Sequence, residues 1–130
     1  DWTSHNVEHE LSALYDCAHG AGLAVAMPAV FTYTLQHDVM RFAKIAVRVW
    51  GCQMDFDNPE RTAKAGIEAL RNFLVSIGMP KNFAELGAKE ADIEKLAHTC
   101  CYGNGNTSGK ISGFTTLEQK DVEAIYRLML

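Results

Sequence analysis

Apolar residues recur along most of this chain at spacings of three and four, the signature of helices with one buried face. Val7, Leu11 and Leu14 place a helix over Asn6 to Tyr15, and Asp16 to Ala18 break it. His19 and Gly20 then open GAGLAVAMPAVFTYTLQ, apolar on nearly all sides. Such a segment is expected as a buried helix, with Pro28 able to bend it. Its small residues Gly20, Ala21, Gly22, Ala24 and Ala26 permit close approach of another backbone or a ligand. Asp38 is positioned to cap a helix over Val39 to Trp50, whose apolar face is Val39, Phe42, Ala43, Ala46, Val49 and Trp50 and whose stop is Gly51. Asn58-Pro59-Glu60 starts the next helix, with Ala63, Ile67, Leu70, Phe73, Leu74 and Ile77 as its stripe and Gly78 and Pro80 ending it. A short turn is expected over Asn82 to Leu86. A helix follows over Ala91 to Cys101, with Ile93, Leu96, Ala97 and Cys100 inward. A last helix is capped by Thr116 with Gln119 as capping-box partner and buries Val122, Ile125, Tyr126 and Met129.

Tyr102 to Gly113 is rich in Gly, Asn and Ser and reads as an exposed loop. It lacks the spacing of a phosphate-binding loop, and no strand is expected before it. The pattern holds no strand and no repeat. The predicted fold class is all-α, a bundle of about six helices over residues 1–130.

With 130 residues and 48% hydrophobic positions, the chain can bury one core. A net charge of −4 and a pI near 5.7 argue against a broad nucleic-acid surface. No apolar run reaches the roughly 18 to 20 residues of a membrane span, and no secretory leader is visible. Cys17, Cys52, Cys100 and Cys101 form neither a CxxC pair nor a disulfide ladder. They are expected as free thiols in a reducing cytoplasm. The chain starts without Met in what reads as mid-helix, so a fragment or a processed chain is expected.

Candidate chemistry sits in the first twenty residues, which hold three of the five histidines: His5, His9 and His19. Neutral imidazole is a common ligand for Zn, Fe, Cu and Ni. His5 and His9 are spaced i, i+4, on one helix face with a rise of about 6 Å between them, and can chelate one ion. On an unbroken helix His19 would lie roughly 21 Å along the axis from His5. A turn at Asp16 to Ala18 is therefore required if the two share an ion. His5-Asn6-Val7-Glu8-His9 also spells H-x-x-E-H, the inverted zinc-peptidase motif in which Glu activates water, but no third ligand is evident.

The stretch Trp2 to Val30 resembles the iron-containing (group III) alcohol dehydrogenases, especially their butanol-dehydrogenase-like branch. The matching pieces are His5-x3-His9-Glu10-Leu11, Tyr15-Asp16-Cys17-Ala18-His19-Gly20 and Gly22 through Ala29. Looser likeness runs through Phe42-Ala43, Val47-x-Val49-Trp50-Gly51, the Ile67 to Gly78 helix with Pro80, and Asp121-Val122-x3-Tyr126. The resemblance spans nearly the whole chain, but only the last third or so of such an enzyme.

It implies the C-terminal helical domain of a dehydroquinate-synthase-like fold. It further implies that His5 and His19 are two of four ligands to a divalent metal, Fe²⁺ or in some members Zn²⁺. The other two, an Asp and a His, would lie upstream of Asp1. His9 would lie near the nicotinamide of NAD or NADP as the catalytic and cofactor-binding residue, not as a ligand. The implied reaction interconverts primary alcohols and aldehydes by hydride transfer, the ion polarising the reacting oxygen. The implied partners are a small alcohol or aldehyde, the N-terminal dinucleotide-binding part of the enzyme and, at full length, a second subunit in a cytoplasmic homodimer. The fragment alone is expected to be inactive. Cys17 departs slightly from the family pattern. The alternative is a non-enzymatic helical interaction domain with incidental histidines. His37, beside the Asp38 cap, and His98, near a helix C-terminus, are expected to be structural.

Overall fold

A computed structural model describes all 130 residues, Asp1 to Leu130. Seven α-helices form the body: α1 Thr3–Tyr15, α2 His19–Thr34, α3 Val39–Trp50, α4 Pro59–Ser76, α5 Phe83–Leu86, α6 Ile93–Tyr102 and α7 Gln119–Arg127. Single 3-10 turns cover Leu35–His37 and Glu90–Asp92. The expected all-α architecture holds, with one addition. Lys110–Ser112 (β1) and Thr116–Glu118 (β2) pair antiparallel, with Ile111 opposite Leu117. Only those two side chains of the ribbon are buried. The exposed-loop reading of Tyr102 to Gly113 is thus corrected at its C-terminal end. Three-residue strands are too short to show a period of two.

Local chemistry explains most boundaries. Asp16 adopts a left-handed conformation (φ 52°), and its N–H bonds the Ser12 carbonyl, closing α1. Asp38 caps α3 by accepting from the Arg41 N–H, and Gly51 ends it at φ 67°. Pro59 opens α4 at a position with no intrahelical use for an N–H. The predicted cap of the last helix is displaced. Thr116 lies in β2, and the capping box is formed by Glu118 and Asp121.

Two apolar clusters hold these elements. The larger joins Val7 and Leu11 of α1, Val25, Ala26, Ala29 and Val30 of α2, Phe83, the inner face of α6, Ile111, Leu117, and Val122, Ile125, Tyr126 and Met129 at the C-terminus. The smaller joins Leu35, Phe42, Ala43, Ala63 and Ile67. The predicted α4 stripe is buried only in its first half, since Phe73 and Ile77 are exposed. On α3 the same holds for Val49.

At the crossing of α3 and α4, a Cβ added to Gly66 would sit 2.7 Å from the Ala46 Cα. Neither backbone can yield without parting the helices. Gly66→Ala is therefore expected to destabilise the chain by about 1–3 kcal/mol despite the better helix propensity of Ala. Urea unfolding of the two proteins measures this.

Candidate metal centre

The turn at Asp16 to Ala18 brings the first residue of α2 back against the middle of α1. The His5 and His19 rings lie 5.3 Å apart between centroids, His9 and His19 5.5 Å, and His5 and His9 6.2 Å. All three predicted imidazoles therefore converge. The Trp2 ring packs edge-on against His5 at 4.8 Å and walls that side. His9 and His19 are exposed and His5 is half-buried, so the cluster opens outward.

The His19 ring is not free. Its Nδ1 pairs with the Glu8 carboxylate, whose second oxygen accepts from the Ser12 hydroxyl. Glu8 is completely buried. Its place in H-x-x-E-H suits a water-activating base, and the structure does not support that role, because an enclosed carboxylate bonded to Ser12 and His19 has no access to water. Sequence reasoning misses the Glu8–His19 pairing itself. Its signals are an acid within the inward stripe Val7, Glu8, Leu11 and a serine four residues on, but the partner lies across a turn.

The donor chemistry fits a transition metal. Two imidazoles bound to one tetrahedral ion, with metal–nitrogen bonds of about 2.0–2.1 Å, have centroids roughly 5 Å apart, close to the His5–His19 separation. Distance alone does not choose the set, since donor atoms of Glu8, His9 and His19 also lie within 4.8 Å of one another. Burial argues against Glu8 as a ligand. Cys17 is outside that group; its Sγ lies 3.9 Å from the Ser12 hydroxyl.

Two clefts flank the imidazoles. One, about 270 Å³, is walled by His5 and by Met27, Val30, Phe31, Phe42, Ile45 and Phe114. The other, about 440 Å³, is polar and reaches from His9 past Asn6 and Glu10 to Asn104, Asn106 and Lys110. Burial raises the Glu10 carboxyl above its usual range, and the nearby His9 partly offsets this. Cys100, facing the same cleft, is pushed up to about 12 by burial, then by Cys101 and Glu10. A thiol so held stays protonated and inert at neutral pH. All four cysteines are free, as expected.

His37 and His98 stand outside the cluster. His37 packs edge-on to Phe114 at 4.8 Å, and His98 stacks on Tyr102 at 4.9 Å. Both are exposed, His37 next to the Asp38 cap of α3 and His98 within α6.

Fold and imidazole cluster together define a class: a helical domain whose donors, at the junction of two helices, could hold a transition metal. The chain belongs to the Fe-containing alcohol dehydrogenase family, whose C-terminal model matches residues 1–130. It is 33% identical over 127 residues to NADH-dependent butanol dehydrogenase A of Clostridium acetobutylicum, covering 97% of this chain and 32% of that protein. It is 31% identical over 123 residues to 1,3-propanediol dehydrogenase of Citrobacter freundii, covering 95% and 30%. Its fold superposes on the crystal structure of NADH-dependent butanol dehydrogenase A from Thermotoga maritima with a TM-score of 0.89 at 32% identity, over 99% of this chain and 33% of that one. The chain thus spans about a third of the length of the curated relatives it matches. No helix is long and apolar enough to cross a membrane.

Proposed function

We infer that residues 1–130 are the C-terminal part of the helical domain of a metal- and NAD(P)-dependent alcohol dehydrogenase that interconverts primary alcohols and aldehydes. The observation that carries this reading is the meeting of His5 and His19, fourteen positions apart, at 5.3 Å. The family membership and the butanol and propanediol dehydrogenases among the relatives support the reaction class.

His5 and His19 hold the divalent ion, Fe²⁺ or Zn²⁺, together with an Asp and a His from the upstream part of the enzyme. That upstream part also binds NAD or NADP. When bound, the ion acts as a Lewis acid on the reacting oxygen. His9 is left off the metal, beside the nicotinamide. Its ring stands at the mouth of the polar cleft, exposed on one side. A neutral imidazole there can take the hydroxyl proton and pass it to solvent, or return it during aldehyde reduction. Trp2 and the apolar wall of Met27, Phe31 and Phe42 limit water on the His5 side. Free thiols throughout agree with a cytoplasmic setting. Exposed Met40, Val47, Val49 and Phe73 give apolar surface for the rest of the enzyme or for a second subunit.

Two of four ligands make a weak site. The 130-residue chain titrated with Zn²⁺ is expected to bind with a Kd of about 1 µM or weaker, far short of the ~10–16 kcal/mol of a complete structural site. His5→Ala should remove that binding, and His98→Ala should not. Tight stoichiometric binding by the chain alone contradicts the reading.

A further inference from the structure

We propose that Glu8 is a positioning residue for His19: its carboxylate accepts the Nδ1 proton, fixes the tautomer and turns Nε2 outward to the ion. Gly22 is glycine so that this carboxylate fits. The inference rests on the reading of His19 as a ligand and adds to it a residue outside the ligand set.

Three observations meet at this point. Glu8 is fully buried, and a buried carboxylate is costly unless its lone pairs are filled. Each oxygen has one partner: the Ser12 hydroxyl at Oε1 and His19 Nδ1 at Oε2. The space it occupies is also reserved. A Cβ built on Gly22 would lie 2.7 Å from the Glu8 Cγ and 2.9 Å from its Cδ. Gly22 is inside α2, where Ala is intrinsically preferred. The glycine is thus explained by the close approach of Glu8 and not by backbone conformation.

The direction of the pairing decides the role. His19 has two ring nitrogens and only one can face the ion. Nδ1 is taken by the buried Glu8, while the His19 side chain as a whole is 48% exposed. Nε2 is therefore the nitrogen left for an ion. A carboxylate on the inner nitrogen makes the outer one more basic and holds the ring plane, the usual outer partner of a metal-bound histidine. Glu8 is enclosed, with Ser12 on one oxygen and His19 on the other. Ser12 secures the carboxylate one helical turn along α1.

The test uses the ¹⁵N-labelled 130-residue chain without metal at pH 9, where an ordinary imidazole is neutral. Long-range ¹H–¹⁵N spectra report which ring nitrogen carries the proton. Wild-type His19 is expected in the Nδ1–H form, the reverse of the form an unconstrained histidine favours. Glu8→Ala should return it to the Nε2–H form. Glu8→Gln, whose amide oxygen still accepts, should largely keep the wild-type form. Gly22→Ala should shift it towards Nε2–H with Glu8 intact. Zn²⁺ affinity should fall about 10–100-fold in Glu8→Ala and much less in Glu8→Gln. An Nε2–H His19 in the wild type, or a tautomer indifferent to Glu8→Ala in a chain whose circular dichroism is unchanged, overturns the proposal. His5→Ala separates the two ideas: it should abolish Zn²⁺ binding and leave the His19 tautomer alone. A Glu8-dependent tautomer with metal affinity indifferent to both His5→Ala and His19→Ala would instead sink the ligand assignment, and with it the positioning role of Glu8.

Discussion

In the full-length enzyme to which we assign this chain, His19→Ala is expected to lower kcat for alcohol oxidation by about 10³-fold or more. His5→Ala should do the same. Both imidazoles come from the place where α1 and α2 meet, so either deletion would remove one of the two ligands we assign to this chain. Lewis-acid stabilisation of the reacting oxygen is worth several kcal/mol, and each ~1.36 kcal/mol is tenfold in rate. Metal content of the purified variants should fall in parallel with turnover. His37→Ala and His98→Ala are the controls, since their rings sit against Phe114 and Tyr102 away from the cluster. Full turnover with full metal content in both ligand variants would remove His5 and His19 from the centre.

The second large effect falls on stability. Tyr126 is fully buried, its ring lies 6.0 Å from that of Phe83, and its hydroxyl donates to the Val7 carbonyl at 2.7 Å. Burial pushes its phenol well above the usual range, so the hydroxyl remains a donor at any ordinary pH. Tyr126→Ala removes an aromatic side chain from the centre of the larger cluster and is expected to cost about 3–5 kcal/mol. That is a large share of the ~5–15 kcal/mol that holds a domain folded. Tyr126→Phe keeps the ring, loses one hydrogen bond and should cost about 1 kcal/mol. Denaturant midpoints at constant m-value give both numbers. Near-equal losses in the two variants would mean that packing at this position matters little.

The reach of the sequence can be judged residue by residue. The bend required between His5 and His19 is legible because Asp16 to Ala18 interrupts the apolar period. Asp38, Gly51 and the inward face of α7 are legible for the same local reason. The ribbon is hidden because Ile111 and Leu117 are its only inward residues and glycines surround them. The cap of α7 falls two residues later than its motif suggests because Thr116 is already committed to a strand. The outer half of the α4 stripe looks buried because periodicity reports a face and not what lies opposite it. Glu8 can be read only as part of a motif. Its meaning depends on His19 and Gly22, which reach it through folding and not through spacing. The choice of His5 over His9 as ligand comes from the family resemblance, and ring separations alone leave it open.

Helix α2 sends Val25, Ala26, Ala29 and Val30 into the larger cluster, and Phe31 packs on the smaller one. It is the rod common to both halves: α1 and α4 each pack against it, and α3 packs chiefly against α4. His19 is the first residue of that rod, and the cleft beside His5 takes Phe42 and Ile45 of α3 into its wall, so the donors stand where both halves meet.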